Sequence, residues 1–210
     1  MNPKASAAYD GHEEVVFVGD EALGYKGIIA IHSSALGPAA GGCRIWTYAR
    51  DEDALTDALR LSRGMTYKNA MADLPLGGGK AVIYKMGADR AACFEAFGRE
   101  VEKLHGRYIT AEDVGATVND MKTIARSTSS VTGIPKEEGR AGGDPSPWTA
   151  LGVFLSIQAL LGGSVAGRTI AVQGVGAVGR HLCQLLAQDG AKLVIGDVNK
   201  TKLARIEPLG

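Results

Sequence analysis

Apolar residues in the first part of the chain follow two spacings. Residues 14–18 and 26–32 are rich in valine and isoleucine and predict two strands around a turn at 20–24, a spacing that suits a hairpin. Leu36-Gly37-Pro38-Ala39-Ala40-Gly41-Gly42 reads as a loop, and residues 43–48 as a third strand. From Asp51 the period changes. Ala54, Leu55, Ala58, Leu59 and Ser62 recur every three or four residues, which predicts a helix capped by Asp51 and continuing towards Lys68-Asn69-Ala70. Leu74-Pro75-Leu76-Gly77-Gly78-Gly79 reads as the turn that ends it. A strand at 80–84, a helix at 90–104 and a short strand at 108–111 come next. Thr117, with an acid at Asp120, has the form of a capping box that opens another helix. Residues 139–147 are rich in glycine and proline and read as a linker. Beyond it lie a long apolar helix at 148–161, a buried strand at 168–173, a helix at 177–188 and a strand at 192–197. Strands alternating with helices in both halves imply an α/β protein, with one domain over residues 1–140 and another over 141–210.

Composition narrows the class. At 210 residues the chain holds one large domain or two small ones. Lys+Arg and Asp+Glu number 23 each, so no basic surplus points to nucleic acid. The 29 glycines cluster without a period, which indicates tight backbone geometry instead of low complexity. Cys43, Cys93 and Cys183 are far apart and lack a CxxC pair, so neither a disulfide framework nor a zinc site is expected and a reducing cytoplasm fits. His12, His32, His105 and His181 show no metal-ligand spacing. The N-terminus carries no apolar run behind Lys4, and no stretch is apolar for long enough to span a membrane.

Two motifs carry chemistry. In Gly174-Val175-Gly176-Ala177-Val178-Gly179, an apolar strand runs into the glycines and a helical stretch leaves them. Gly174 permits the tight turn, Gly176 lets backbone approach a pyrophosphate, and Gly179 lets helix and strand pack closely. The first N–H groups of the helix, Ala177 and Val178 among them, then face the phosphates. Asp197 at the end of the next strand suits the ribose hydroxyls and favours NAD over NADP. A glycine turn of an unrelated α/β domain, or a site for another nucleotide, remains the alternative. The second motif is Gly77-Gly78-Gly79-Lys80. An amine withdrawn from water, or set beside another cation such as Lys68, releases its proton more readily and serves as a general base. Two surface lysines beside a turn would show the same spacing. Asp113, just past a strand end, is placed to pass protons to and from an amine. Glu112 competes for that role, because alternation sends neighbouring side chains to opposite faces.

Taken together, Met65-Thr66-Tyr67-Lys68-Asn69-Ala70, Leu76-Gly77-Gly78-Gly79-Lys80, Tyr108-Ile109-Thr110-Ala111-Glu112-Asp113-Val114-Gly115 and Pro145-Ser146-Pro147-Trp148-Thr149-Ala150 resemble the leucine/phenylalanine/valine branch of the amino-acid (Glu/Leu/Phe/Val) dehydrogenase family. The resemblance implies an N-terminal α/β substrate domain followed by a Rossmann-type dinucleotide-binding domain. It also implies NAD-dependent oxidative deamination of an apolar, leucine-like L-amino acid to the 2-oxo acid and ammonia, in a cytoplasmic homo-oligomer. By that resemblance Lys68 binds the substrate carboxylate, Lys80 activates water, Asp113 shuttles protons, Gly41 and Met65 line the substrate site, and Thr149 holds the nicotinamide end. Glutamate-specific members place a lysine where this chain has Ala40, so an apolar substrate is implied. The small Ala40 also suits phenylalanine, while the rest of the chain is closer to the leucine enzymes. Trp148 replaces the smaller residue expected before Thr149. Members of the family are longer, so the dinucleotide domain is expected to be incomplete and C-terminally truncated. The chain alone is then expected to turn over poorly, or to remain a non-catalytic NAD-binding fragment.

Overall fold

Glu14–Asp20 (β1) and Tyr25–Ser33 (β2) pair antiparallel as the expected hairpin. The computed structural model describes residues 1–135, 142–204 and 206, and the chain forms two units, Met1–Gly143 and Asp144–Gly210. The expected boundary between 140 and 141, and the first part of the expected linker, lie outside the described residues.

Three further strands of the first unit are Ala39–Ile45 (β3), Gly77–Lys85 (β4) and Tyr108–Glu112 (β5). They complete a five-stranded sheet in the order β1-β2-β4-β3-β5. β4 runs antiparallel to β2 and parallel to β3, and β3 runs parallel to β5. The continuous apolar run in β2 exists because both faces of that strand are covered. Ile28 and Ala30 pack on Ala54, Leu55, Ala58 and Leu59 of α1 (Asp51–Met71). Ile29 and Ile31 join Phe94 and Phe97 of α2 (Arg90–Glu102) and Met121 and Ile124 of α3 (Val118–Ile124). Thr117 and Asp120 form the expected capping box at the start of α3.

Several boundaries differ from expectation, each for a packing reason. Asp51 is not the cap of α1. Arg50 holds that position without a side-chain capping bond, and Asp51, Glu52 and Asp53 occupy the first turn, where negative charge complements the helix dipole. The stretch read as a loop enters the sheet at Ala39, and the glycines read as a turn are the first residues of β4. They are strand residues because neighbours press on them. A Cβ on Gly78 would sit 2.0 Å from Thr66 Oγ1 and 2.2 Å from Thr66 N, so only glycine lets α1 settle on β4. Asn69 Nδ2 donates to the Gly77 carbonyl at 2.6 Å from the same helix.

A buried polar cluster ties the N-terminal segment to α1. His12 Nε2 lies 3.0 Å from the Leu59 carbonyl and 3.1 Å from Ser62 Oγ, and its ring stands edge-on to His32 at 4.8 Å. Burial pushes the His12 imidazole below its ordinary value. The Leu59 carbonyl and Asp10 oppose that shift, and His32 and Arg63 add to it. Neutral His12 therefore favours folding above the unfolded value of ~6.5, and this stability is lost as pH falls through the lowered folded value. The unfolding free energy from urea titrations is expected to drop as pH falls below about 6.5, and His12→Gln is expected to flatten the drop. Parallel curves for the two proteins would exclude His12 as its source.

In the second unit, Thr169–Gln173 (β6) and Lys192–Gly196 (β7) form a parallel pair. The remaining elements are α4 (Ser146–Leu161), α5 (Ala177–Gln188) and α6 (Lys200–Ala204). α5 connects the paired strands and contributes Cys183 and Leu186 to a small core with Val165, Val172, Val175 and Ile206. α4 is apolar on most sides, yet its buried residues are Ser146 and Ala150, while Trp148, Val153, Leu155 and Leu160 are exposed. Cys43, Cys93 and Cys183 are buried and unpaired. No helix among the described residues is long and apolar enough to cross a membrane.

Candidate active site

Lys80 occupies an interior position of β4, opposite Ala30 of β2, on the same face as Val82. Its residue is only 5% exposed. A lysine buried that far needs a partner, since an unpaired buried charge is costly. The partner is Asp113, one residue past β5, with Nζ 2.8 Å from Oδ2. Arg44 of β3 donates from Nε to the same Oδ2 at 3.0 Å. Burial raises the Asp113 carboxyl, but the bonds from Lys80 and Arg44 outweigh it and hold the group below the usual carboxylate range. Arg44 continues outward, its Nη1 lying 2.9 Å from Asp57 Oδ2 of α1, and the Tyr48 hydroxyl donates to that same Asp57 oxygen. The result is a row of alternating charges, Lys80–Asp113–Arg44–Asp57, ending on a tyrosine.

Glycines make this approach possible. A Cβ on Gly42 would lie 2.8 Å from Asp113 Cβ, and one on Gly41 would lie 1.8 Å from the Gly79 carbonyl and 3.2 Å from Met65 Cγ. Gly41 and Met65 are therefore neighbours, and the Tyr108 hydroxyl fixes the Gly41 carbonyl at 2.6 Å. Ala40 pairs with Gly78 and Ile109 in the ladder and is nearly buried. Of the two competing acids, Asp113 turns towards Lys80, whereas Glu112 lies beside Gly133.

Lys68 stands in the last turn of α1, one turn after Met65. It is exposed, and its side chain makes no ion pair or hydrogen bond among the described residues. Lys80 and Asp113 are thus brought together, and Lys68 is a free cation on the helix that packs over them. Thr149, in the first turn of α4, is exposed and bonds its own helix through the Pro145 carbonyl at 3.0 Å. Trp148 beside it is 73% exposed, so its bulk does not enter the core of the second unit.

The glycine-rich turn joins β6 to α5. Gly174 has φ +90°, which disfavours any side chain. Gly176 is the N-cap of α5 and has open space where a Cβ would stand; a Cβ on Gly179 would lie 2.0 Å from the Gly174 carbonyl. No side chain caps α5, so the N–H groups of Ala177 and Val178 remain available to an anion. Asp197 Oδ2 accepts from the Val175 N–H at 2.8 Å, and Oδ1 from the Asn199 N–H at 2.7 Å. Those bonds hold its carboxyl below the usual range. Asp197 therefore braces the turn.

Sequence reasoning did not single out Arg44, Asp57 and Tyr48. The available signal was a charged residue inside an otherwise small and apolar strand, Cys43-Arg44-Ile45. All three line a hollow of about 510 Å³, together with Trp46, Arg60 and Val114.

Comparison with known proteins follows the same lines. A family profile described as Glu/Leu/Phe/Val dehydrogenase, dimerisation domain, matches residues 12–130. Leucine dehydrogenase from Geobacillus stearothermophilus is 52% identical over 99% of this chain, which spans 58% of that relative. Valine dehydrogenase from Streptomyces virginiae is 51% identical over 93% of the chain and 56% of the relative. Among solved structures, L-tryptophan dehydrogenase from Nostoc punctiforme superposes with a TM-score of 0.68 at 43% identity, covering 95% of this chain and 57% of that one. Hetero-hexameric glutamate dehydrogenase from Thermus thermophilus gives 0.75 at 22% identity, covering 94% of this chain and 55% of that one; at that identity it supports the fold alone. The chain thus spans little more than half the length of the relatives it matches.

Proposed function

Because the chain belongs to the Glu/Leu/Phe/Val dehydrogenase family, we propose that it serves the NAD-dependent oxidative deamination of an apolar, leucine-like L-amino acid to its 2-oxo acid and ammonia. The observation that carries this reading is the pair of buried Lys80 and partly buried Asp113, on and just past the strands next to Gly41 and Gly42. A lysine withdrawn from water and touching a carboxylate is a proton-transfer unit, and open backbone next to it leaves room for a substrate. The free Lys68 cation suits an α-carboxylate, which would orient the reacting carbon. In this reading Lys80 takes a proton from the water that attacks the imino carbon, and the positive amines stabilise the negative charge that builds. Asp113 moves protons to and from the departing amine. Ala40 puts no charge in the side-chain pocket, which disfavours glutamate and fits leucine; phenylalanine is the alternative substrate.

The second unit fits a dinucleotide on its own observations. Gly174 and Gly176 leave the backbone bare, the start of α5 is uncapped, and Asp197 stands at the end of β7. Gly174, Gly176, Ala177, Val178 and Gly179 would hold the pyrophosphate, Asp197 the ribose, and Thr149 the nicotinamide end. When bound, NAD supplies the hydride acceptor. A cytoplasmic homo-oligomer belongs to the same proposal, supported by three buried free thiols and by a profile described as a dimerisation domain.

The test is NADH formation by the purified chain with L-Leu, L-Val, L-Ile, L-Phe and L-Glu in turn. Turnover highest with L-Leu and absent with L-Glu is expected. Turnover highest with L-Glu overturns the apolar assignment. NAD binding without NADH from any of the five amino acids leaves only an NAD-binding module. The parallel pair β6–β7, with apolar residues exposed on α4 and β7, favours that second reading.

A further inference from the structure

The row of charges behind Asp113 does more than balance. Four groups are involved, and they pair off without remainder: Lys80 with Asp113, Arg44 with Asp57. Arg44 nonetheless spends its Nε donor on Asp113. Neutrality does not require that bond, so its effect is geometric. A guanidinium is a rigid plane with donors at fixed angles. With Nη1 held by Asp57 on α1, and that oxygen also bonded by the Tyr48 hydroxyl, the direction of Nε is determined. Both cations meet Asp113 at Oδ2, at 2.8 Å from Lys80 and 3.0 Å from Arg44, and no bond to Oδ1 is formed among the described residues. Asp113 is only partly buried, with 23% of its side chain exposed, so the second oxygen keeps an open side.

We infer that Arg44 is a positioning residue for Asp113: anchored on Asp57 and Tyr48, it clamps one carboxylate oxygen and leaves Oδ1 free for proton transfer. The inference rests on the proposed dehydrogenase reading for its chemistry, but not for its geometry. A lysine at position 44 keeps the charge and loses the fork, since one ammonium on a flexible stem does not hold two carboxylates in a fixed relation. Removing Asp57 leaves the charge of Arg44 and takes away its anchor.

The experiment uses the full chain with carboxyl-labelled aspartate, following Asp113 by NMR as pH is lowered, alongside the rate of NADH formation. Arg44→Met is expected to raise the Asp113 midpoint by about 1 unit, because one of two adjacent cations is gone. It is also expected to lower kcat about 10- to 100-fold with KM for L-leucine little changed, the effect of a misaligned proton carrier. Arg44→Lys is expected to restore most of the midpoint but not kcat. Asp57→Ala, the variant to use if Arg44→Met does not fold, is expected to keep the midpoint low and still lose kcat. An Asp113 midpoint unmoved by Arg44→Met, or kcat fully restored by Arg44→Lys, overturns the inference. If the unsubstituted chain forms no NADH, the dehydrogenase reading fails separately, and the titration of Asp113 still decides whether Arg44 holds it.

Discussion

Gly78→Ala is expected to cost the first unit roughly 3 kcal/mol or more of unfolding free energy, a large share of what holds a domain of this size together. The added methyl would lie 2.0 Å from Thr66 Oγ1, 2.2 Å from Thr66 N and 2.5 Å from Thr66 Cα. Two of those atoms are helix backbone, so no rotamer change relieves the clash, and α1 must lift from β4. That lift would pull Asn69 from the Gly77 carbonyl and carry Met65 away from Gly41. Gly64→Ala is the internal control. It lies in the same helix with nothing within 4 Å of the new methyl, and alanine is the better helix former by up to about 1 kcal/mol. Urea unfolding followed by far-UV circular dichroism separates the two: Gly78→Ala should melt early and Gly64→Ala late. Equal midpoints would mean that α1 does not sit on the glycines as described.

Lys80→Ala is expected to remove about 10²–10⁴-fold of NADH formation with L-leucine, the usual worth of a positioned general base. The fold should survive. Breaking a buried ion pair costs about 3–5 kcal/mol when a charge is left alone, but Asp113 keeps Arg44 at 3.0 Å, so the loss should be smaller. Activity lost with the unfolding curve little moved is the expected pair of results. If Lys80→Ala retains turnover, Lys80 has no proton role and its burial is structural.

Much of this architecture is legible from local pattern. The change from short runs rich in valine and isoleucine to a three- and four-residue period marked the onset of α1, and the start of α5 follows from the glycine turn. The paired choice of Glu112 and Asp113 also came from alternation along β5. Where the reading went astray, long-range contact was the cause. Gly77-Gly78-Gly79 has the composition of a turn, and nothing within that segment says that Thr66, Tyr108 and Ala39 press on it from other elements. Arg44 and Asp57 are distinguished by contact and not by local pattern: Arg44 reaches Asp113, far along the chain, and Asp57 holds Arg44 from α1.

By itself, the order of residues determined the α/β class, the run of most strands and helices, the glycine turn that opens α5, and the family to which Lys68, Lys80 and Asp113 point. Those properties depend on local periodicity and on residue types that act through their own backbone. Only the tertiary structure decided that Lys80 and Arg44 meet one oxygen of Asp113 and that Lys68 has no ion-pair partner among the described residues. It also showed that Gly78 serves as a bearing surface for α1. The parallel register of β3 against β4 and β5 sets those approaches, and register is a relation between distant segments that no single segment encodes.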